Sequence, residues 1–500
     1  MRRFDSRIIA AAWFLCASLP ATGAHAATYY VNRASSTCSN SGPGTQDRPF
    51  CTISAAMSNG GPGVKISVAP GTYREQVSVG ASGAQGSPFV LRAEGAVILE
   101  GADDFSDEAR WTQVKGDVWR AASVDWTPLQ VFADSVRLQP TAADPSELPP
   151  HSFTWVAGEG LYVNTGADNP GKHSLLIGRR RHGFSLYGRS WVTIEGFTVI
   201  HTEDRGINVA GTCMNIAIVR NTIRFANKMG IQINGGSGMR IASNVVSDTN
   251  DHGISLIAGV TASVIEDNES YRNSRPSERA ANGIYLFGSP GDTLRNNRLH
   301  DNQDTGMHFQ SGSNNCVSYL NRSWNNGDHG YDHLEATGTI HICDIAYGNY
   351  KDGFSMEGHS PGTRIFHSIA VNNGLNSNEF DLWVDKISSE GFVSDHNLFW
   401  NSATQEPVKY IQTMYTSVAA YSTASGQDRQ TLQADPRFAN PASGDFRLLK
   451  GSPAAGAAHA AGPGWPADDA GCTRADIQPT LDEALRHPFV PASPPDPTHP

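Results

Sequence analysis

The chain has 500 residues, of which 50 are glycine, 39% are hydrophobic and 17% are charged. This composition suits a large core of strands and turns, and it argues against a helical bundle. The formal net charge of −11 at pH 7 disfavours nucleic acid as a partner, because an acidic surface repels phosphate groups.

Residues 1–26 are predicted to be a secretory signal peptide. Three arginines precede an apolar run at 8–19, and Ala24-His25-Ala26 places small residues around a cleavage site. We therefore expect a secreted protein, extracellular or periplasmic, that begins near Ala27. No later run approaches the roughly 18 apolar residues of a membrane-spanning helix, so we expect no membrane span, and a monomer.

Residues 27–185 are predicted to form an N-terminal cap, the opening coils of a solenoid and a β-rich excursion from about 102 to 185. Six cysteines remain after the signal, in a compartment where disulfides persist. Cys38 and Cys51 bracket a loop rich in glycine, serine and proline, and we expect them to pair. The partners of the other four cysteines stay open.

An internal repeat dominates the centre of the chain. Glycines in the same local pattern stand at positions 206, 230, 253, 283, 306, 330 and 353, and their spacing is 23 or 24 residues except for one step of 30. The longer step contains an insertion around 274–279. Short β-patterned runs at this period predict an all-β fold, a single-stranded right-handed parallel β-helix over 186–460. Residues 461–500, rich in proline, alanine and glycine, are predicted to be a loosely ordered tail.

Two asparagine series follow the same period and predict side-chain ladders between coils. They are Asn221, Asn244, Asn268, Asn297 and Asn321, and Asn227, Asn250, Asn273, Asn302 and Asn326.

Alternation along each strand predicts which side chains face outward. The first and third positions after the glycine are apolar and should point inward, with His333 as a hydrogen-bonded core histidine. The second position should point outward. It is occupied by Asn208, Gln232, Ser255, Tyr285, His308, Asp332, Ser355 and Asp381.

Charged residues concentrate on three consecutive coils. Asp304, Asp328 and Lys351 stand two positions before the glycines, and His329 and Asp352 one position before. Successive coils are about 4.8 Å apart, so these side chains should converge on one outer wall. Asp304, Asp328 and Asp332 are predicted to bind one Ca²⁺, a cation that takes oxygen ligands.

The segment Gly327-Asp328-His329-Gly330-Tyr331-Asp332, with Asp304 one coil earlier, resembles the calcium-binding coils of the family nine pectate lyases over roughly residues 290–385. The cap and closing coils are similar, more generally, to secreted right-handed β-helix carbohydrate-active proteins. The resemblance implies calcium-assisted β-elimination on a uronic-acid polysaccharide. Two positions depart from the family: His329 replaces an aspartate, and Ser355 replaces the catalytic lysine.

β-Elimination needs a base to remove a proton and a cation to stabilise the charge that develops. Lys351 is the predicted base, and the other catalytic candidates are Asp352, His308, His329 and Glu357. The predicted substrate-binding residues are Arg364, Asp381, Trp383, Lys386 and Tyr285.

Three alternatives remain open at this stage. A glycoside hydrolase would pair Asp332 with Asp352 or Glu357, because hydrolysis requires two carboxyl groups at a defined separation. A uronan epimerase would use His308, His329 and Tyr331. A non-catalytic glycan-binding surface protein would use none of them catalytically. The sugar, the linkage and the mode of attack stay undetermined.

Overall fold

The computed structural model describes residues 27–166, 168–403 and 405–456, with short pieces at 477–479, 481–482, 486 and 489. The predicted signal peptide and most of the predicted tail lie outside these residues. Three long, largely parallel sheets form the molecule, which we name sheets A, B and C. Among the described residues, no helix has the length and apolarity needed to cross a membrane.

Sheet A has twelve strands. They are Thr28–Val31, Lys65–Val68, Phe89–Ala93, Val192–Glu195, Ala217–Val219, Arg240–Ala242, Val264–Glu266, Thr293–Arg295, Val317–Tyr319, Ile340–Ile342, Arg364–Phe366 and Val393–Asp395. Sheet B has eleven strands. They are Gly71–Tyr73, Val97–Glu100, Thr198–Ile200, Thr222–Arg224, Val245–Ser247, Glu269–Tyr271, Arg298–His300, Arg322–Trp324, Ile345–Tyr347, Ile369–Val371 and Leu398–Trp400.

Sheet C has twelve strands, of which the last pairs antiparallel with its neighbour. They are Val77–Val79, Phe184–Tyr187, Ile207–Ala210, Ile231–Asn234, Ile254–Ile257, Ile284–Phe287, Met307–Gln310, Tyr331–Leu334, Phe354–Glu357, Leu382–Val384, Val408–Tyr410 and Thr413–Tyr415. Each regular coil passes through sheets A, B and C in turn, so the chain winds as a parallel β-helix. Phe184–Tyr187 is already a coil strand, so the regular coils resume before residue 186.

The core lies between the three sheets and is continuous from coil to coil. In sheet C the inward positions align in register, for example Ile207 with Ile231 and Ile231 with Ile254, and these side chains are fully buried. No single coil could bury this apolar face by itself, so stacking supplies the hydrophobic stabilisation.

The asparagine ladders form inside the turns. Asn221, Asn244, Asn268, Asn297 and Asn321 each donate a side-chain hydrogen bond to the next coil, and Asp344 ends the series. The second ladder runs from Asn273 through Asn302, Asn326, Asn349 and Asn373 to Asp381. Thr249 precedes Asn273 in this series, so Asn227 and Asn250 lie outside the ladder, contrary to the prediction. Asn250 instead donates to Asn227 at 3.0 Å.

The predicted register is wrong at one coil. Leu382 pairs with Phe354, and Trp383 pairs with Ser355, so Asp381 occupies the position of the repeat glycine. Asp381 is therefore buried, and it accepts hydrogen bonds from Asn373. Trp383 takes the outward position that the prediction gave to Asp381.

The excursion consists of two antiparallel-rich sheets between Ala102 and Gly178. One contains Val136–Arg137, Val131–Ala133, Leu175–Gly178 and Ala102–Asp104. The other contains Gln139–Pro140, Ser152–Val156, Gly160–Asn164, Val118–Ala121 and Thr112–Lys115. A hairpin of Phe438–Asn440 and Asp445–Leu448 lies near the other end.

The helices are short. Within the described residues from 27 to 456, the α-helices are Ile53–Ala56 and Val418–Ser425, and the 3₁₀ helices are Met57–Asn59, Glu108–Arg110, Pro145–Glu147, Pro170–Lys172, Pro441–Ser443 and Pro453–Gly456. The disulfide predicted between Cys38 and Cys51 is confirmed beside the first helix. Cys343 also takes part in a disulfide, whereas Cys213 and Cys316 are free and buried.

Candidate active site

Sheet C carries an outward row of side chains that are neighbours on successive coils. The register aligns Tyr285, His308, Asp332, Ser355 and Trp383 in this row. The turn that precedes each strand brings Asp304, Asp328 and Lys351 to the same edge. The predicted convergence of residues distant in sequence is thus present in the structure, although the role of each residue stays a prediction.

Two basic side chains neutralise the acidic edge. Arg279 Nη1 lies 2.9 Å from Asp328 Oδ1, and its Nε lies 3.6 Å from Asp304 Oδ1. Lys351 Nζ also lies 2.9 Å from Asp328 Oδ1. Sequence reasoning missed Arg279, which belongs to the insertion in the 30-residue step. That irregular spacing was the signal that could have found it.

These contacts bear on the predicted calcium site. Calcium takes six to eight oxygen ligands, whereas Asp304 and Asp328 are already paired with a guanidinium and an ammonium group. Among the described residues, His329, Asp332 and Glu357 place their ligand atoms within 4.8 Å of one another, and this group contains a histidine. The residues present therefore do not fit calcium well, and calcium binding stays a prediction.

His329 is the centre of the buried part of the site. In the neutral ring, His329 Nδ1 accepts a hydrogen bond of 3.2 Å from the Asp352 backbone N–H. In the protonated ring Nδ1 instead donates to Asp352 Oδ2, also 3.2 Å away, and this charge-assisted bond is the stronger. Burial alone would lower the pKa of His329, but the carboxylates of Asp332, Asp352 and Asp328 outweigh it and raise that pKa to about 9. His329 is therefore cationic at neutral pH.

Asp332 and Glu357 form a pair of carboxyl groups beside this cation. Asp332 is 5% exposed, and its Oδ1 has no hydrogen-bond partner among the described residues. Burial raises the pKa of Asp332 to about 6, while the His329 cation opposes the shift. Burial and the charge of Asp332 raise the pKa of Glu357 to about 7. Glu357 is half-buried and is therefore more accessible to solvent than Asp332.

The remaining charged candidates differ in the direction in which the protein shifts their pKa values. Asp328 raises the pKa of Lys351 above its usual value, although burial opposes this, so Lys351 is a cation and a poor base. Burial and the charge of Asp328 raise the pKa of Asp304 to about 7. Burial lowers the pKa of His308 to about 4, and its Nε2 lies 3.4 Å from Asp332 Oδ2.

The predicted substrate-binding residues are only partly brought together. Tyr285 stacks on His252 at 4.1 Å and donates to Gln310 Oε1 at 2.6 Å. Trp383 lies on the outer row, with Lys409 Nζ 4.8 Å from its ring centroid. Lys386 lies exposed in the turn after Leu382–Val384, near the same wall.

Three candidates lie away from the site. Arg364 pairs in register with Ile340 in sheet A, a different wall of the solenoid. Asp381 ends an asparagine ladder inside a turn. Tyr331 is fully buried and stacks on Phe354 at 4.8 Å, so it faces the core and cannot contact a substrate. Tyr331 therefore cannot take the catalytic role that the epimerase alternative requires.

His333 is a hydrogen-bonded core histidine, as predicted. Its Nδ1 bonds to the Ser355 carbonyl at 2.9 Å, and its Nε2 lies 3.0 Å from His341 Nε2. His341 Nδ1 lies 2.8 Å from Asp344 Oδ2. This buried chain crosses the interior directly beneath the strand that carries Asp332.

Comparison with known proteins decides the handedness of the solenoid. The model of a right handed beta helix region matches residues 150–270 and 261–387. The chain folds as a right-handed parallel β-helix. A curated relative, the uncharacterized protein YwoF of Bacillus subtilis (strain 168), is 25% identical over an alignment of 455 positions, and the alignment covers 83% of this chain and 90% of YwoF.

Solved β-helix structures are similar in fold. XylC, in complex with xylose, has a TM-score of 0.59 and 16% identity, covering 82% of this chain and 87% of its own. A glycoside hydrolase has a TM-score of 0.53 and 12% identity, with coverage of 77% and 94%. The pectate lyase Pel9A has a TM-score of 0.50 and 15% identity, with coverage of 85% and 90%.

Proposed function

We propose that this protein is a secreted carbohydrate-active enzyme that hydrolyses a glycosidic bond, with Asp332 and Glu357 as its carboxyl pair. The observation that carries the proposal is the approach of these two carboxyl groups, on neighbouring coils, around a histidine cation. Glycoside hydrolysis requires two carboxyl groups that flank the scissile bond. The outer wall of a solenoid can hold an extended chain against such a pair.

The separation favours a retaining mechanism. The ligand atoms of Asp332 and Glu357 lie within 4.8 Å of each other. Retaining enzymes place their carboxyl groups about 5–5.5 Å apart, whereas inverting enzymes need about 6.5–9.5 Å to admit a water molecule. This separation is closer to the retaining range than to the inverting range.

The surroundings of the two carboxyl groups support an assignment of roles. Glu357, with a pKa of about 7, is protonated in mildly acidic solution and donates its proton to the oxygen of the leaving sugar. Asp332, beside the His329 cation, is the carboxylate that bonds to the anomeric carbon as the glycosidic bond breaks. Glu357 then removes a proton from water, which attacks the same carbon and releases the sugar from Asp332.

A calcium-assisted lyase, as the sequence resemblance implies, is the second candidate. One observation favours a lyase of some kind: Arg279 and Lys351 both contact Asp328 at the acidic edge, where they could neutralise the carboxylate of a uronic-acid unit. Against it, the predicted base Lys351 is an ion-paired cation.

Product analysis separates the two candidates. The purified protein is incubated with neutral and uronic-acid polysaccharides, with and without calcium. Hydrolysis yields new reducing ends without ultraviolet absorbance, whereas β-elimination yields an unsaturated, absorbing product. We expect reducing ends alone, and an absorbing product would overturn the hydrolase proposal in favour of the lyase. If no polysaccharide is cleaved, the enzyme proposal itself fails.

A further inference from the structure

A pocket of about 620 Å³ lies between the excursion and the coils that precede the candidate active site. The excursion contributes residues 128–129 and 137–140, the coil turns contribute 227–228 and 250–251, and the inserted segment contributes 275–277. Its volume lies within the range of small-molecule sites. None of these residues takes part in the proposed hydrolysis.

The pocket and the candidate active site share one edge of the solenoid. Lys228 and Asp251 stand two residues before their repeat glycines, the same position that Asp328 occupies on a later coil. Three coil steps separate Asp251 from Asp328, which corresponds to about 14 Å at the usual strand spacing. The inserted segment joins the two places, because Arg275 lines the pocket and Arg279 contacts Asp328.

The pocket is basic, although the chain as a whole is acidic. Its lining contains Arg137, Lys228 and Arg275 against the single carboxylate of Asp251. Arg275 is paired with Asp251 at 2.5 Å. Arg137 and Lys228 therefore supply the excess positive charge.

Lys228 is weakly compensated. Its side chain is 54% exposed, and Nζ lies 4.0 Å from Asp204 Oδ1. Asp204 already receives Arg181 and Arg205, each at 2.8 Å from Oδ2. The ammonium group is thus available to a ligand at the pocket.

Arg137 is held rigidly at the other side of the pocket. Its guanidinium lies 5.4 Å from the Phe132 ring centroid and 5.9 Å from that of Phe225, and it donates to the side-chain oxygen of Asn250. Asp248, a nearby carboxylate, is paired with Arg272 at 2.9 Å. Burial lowers the pKa of Arg137 to about 10, which leaves it charged at neutral pH. A fixed, incompletely balanced guanidinium is suited to binding a carboxylate.

We propose that this pocket is a second sugar-binding subsite, and that it takes a carboxylate-bearing sugar unit of the same polysaccharide that reaches Asp332 and Glu357. Lys228 and Arg137 bind the carboxylate, while the exposed Leu129 and Pro140 supply apolar contacts for the ring. The inference rests on the proposed function and deepens it, since it assigns the substrate to the acidic polysaccharides.

Calorimetric titration of the Glu357→Gln variant tests the proposal without turnover. The probes are oligosaccharides of galacturonate, mannuronate and glucuronate, with xylo-oligosaccharides of equal length as the neutral series. We expect at least one acidic series to bind and the neutral series to bind weakly or not at all. Adding Lys228→Met should weaken acidic binding by about tenfold or more, the usual effect of losing a hydrogen bond to a charged group.

Lys115→Met is the matched control. Lys115 is an exposed lysine of the excursion itself, but it pairs with Glu147 outside the pocket, so its loss should leave binding unchanged. Equal binding of neutral chains, no binding of any acidic series, or no effect of Lys228→Met would each overturn the proposal. Binding of inorganic phosphate alone, with the same dependence on Lys228, would reveal a general anion site and also overturn it.

The same variants separate this inference from the proposed function. If acidic oligosaccharides bind through Lys228 but the wild-type protein cleaves none of them, the subsite stands and the hydrolase proposal fails. If the wild-type protein hydrolyses an acidic chain and Lys228→Met changes neither KM nor binding, the hydrolase proposal stands and the subsite fails.

Discussion

Glu357 shows how the neighbours of a single residue set its chemical properties. By sequence it is one glutamate at the end of a strand, but in the structure burial and the charge of Asp332 raise its pKa to about 7. A carboxylic acid with this pKa is a suitable proton donor near neutral pH.

Replacing Glu357 with glutamine should therefore lower kcat by about 10²–10⁴-fold, the usual contribution of a general acid. Steady-state release of reducing ends measures the effect. Glu335→Gln is the matched control, because Glu335 is an exposed glutamate one coil earlier that accepts a hydrogen bond from Ser311. Comparable activity of Glu357→Gln and the wild type would remove Glu357 from the mechanism.

The carboxyl pair also predicts a pH profile. The proposed mechanism requires Asp332 deprotonated and Glu357 protonated, and their pKa values are about 6 and about 7. The rate should decrease at pH values below about 6, where Asp332 takes a proton. It should also decrease at pH values above about 7, where Glu357 loses its proton. The two apparent pKa values belong to the pair, because the groups interact.

Measurement of kcat/KM from pH 4 to 9 tests this profile. We expect a bell with its maximum between pH 6 and 7, and loss of the alkaline limb in Glu357→Gln if residual activity can be followed. An optimum above pH 9, where a deprotonated lysine would act as base, would contradict the assignment and favour Lys351.

At the scale of elements, His333 connects the core to the site. It lies on Tyr331–Leu334, the strand that carries Asp332, and bonds to the Ser355 carbonyl on the strand that carries Glu357. Its ring also stacks on Phe309 at 4.9 Å. Hydrogen bonds through His341 to Asp344 continue this connection across the interior.

Replacing His333 with phenylalanine keeps the aromatic stack but removes both ring nitrogens. His341 Nε2 then lacks its partner in a fully buried place, which should lower the free energy of unfolding by about 1–3 kcal/mol. Urea denaturation measures the change. If the midpoint and slope of the urea denaturation curve are unchanged, the hydrogen bonds from His333 through His341 to Asp344 contribute nothing to stability.

The strand Leu382–Val384 shows how one element can shift the site. Residues 378–382 continue the repeat without its glycine. When they are aligned with the earlier coils, the periodicity predicts that the Asp381 side chain points outward. The structure instead gives Asp381 the position of the glycine, because its carboxylate can end the asparagine ladder. Trp383 consequently lies on the outer row, where its ring is available to a sugar face.

At the scale of the whole molecule, the distribution of charge governs the site. Arg279 comes from an insertion, and Lys351 from the coil after Asp328, yet both meet the carboxylate of Asp328. The chain thus supplies its own cations to the acidic edge. This arrangement differs from the calcium-binding edge that the sequence resemblance implies.

We therefore expect activity to survive removal of divalent metal ions. The wild-type protein, dialysed against a chelator and assayed at constant ionic strength, should retain its rate of product formation. The matched measurement adds calcium back to the same sample. A large loss that calcium restores would show that the predicted calcium site operates despite the basic neighbours.

The sequence by itself determined the coiled architecture, the inward and outward faces of most strands and the wall that carries the candidate site. It did so because a regular period of glycines and asparagines fixes local geometry, and each coil repeats that geometry. The Cys38–Cys51 pairing was also accessible, since the two residues bracket a short loop.

Only the tertiary structure decided which charges meet. The insertion that brings Arg279 to Asp304 and Asp328 has no repeat to set its path, and the register at Asp381 depends on a hydrogen bond to Asn373. Burial then sets the ionisation of His329, Asp332 and Glu357. Periodicity specifies neighbours along the solenoid, whereas desolvation and ion pairing depend on every group that packs around a site.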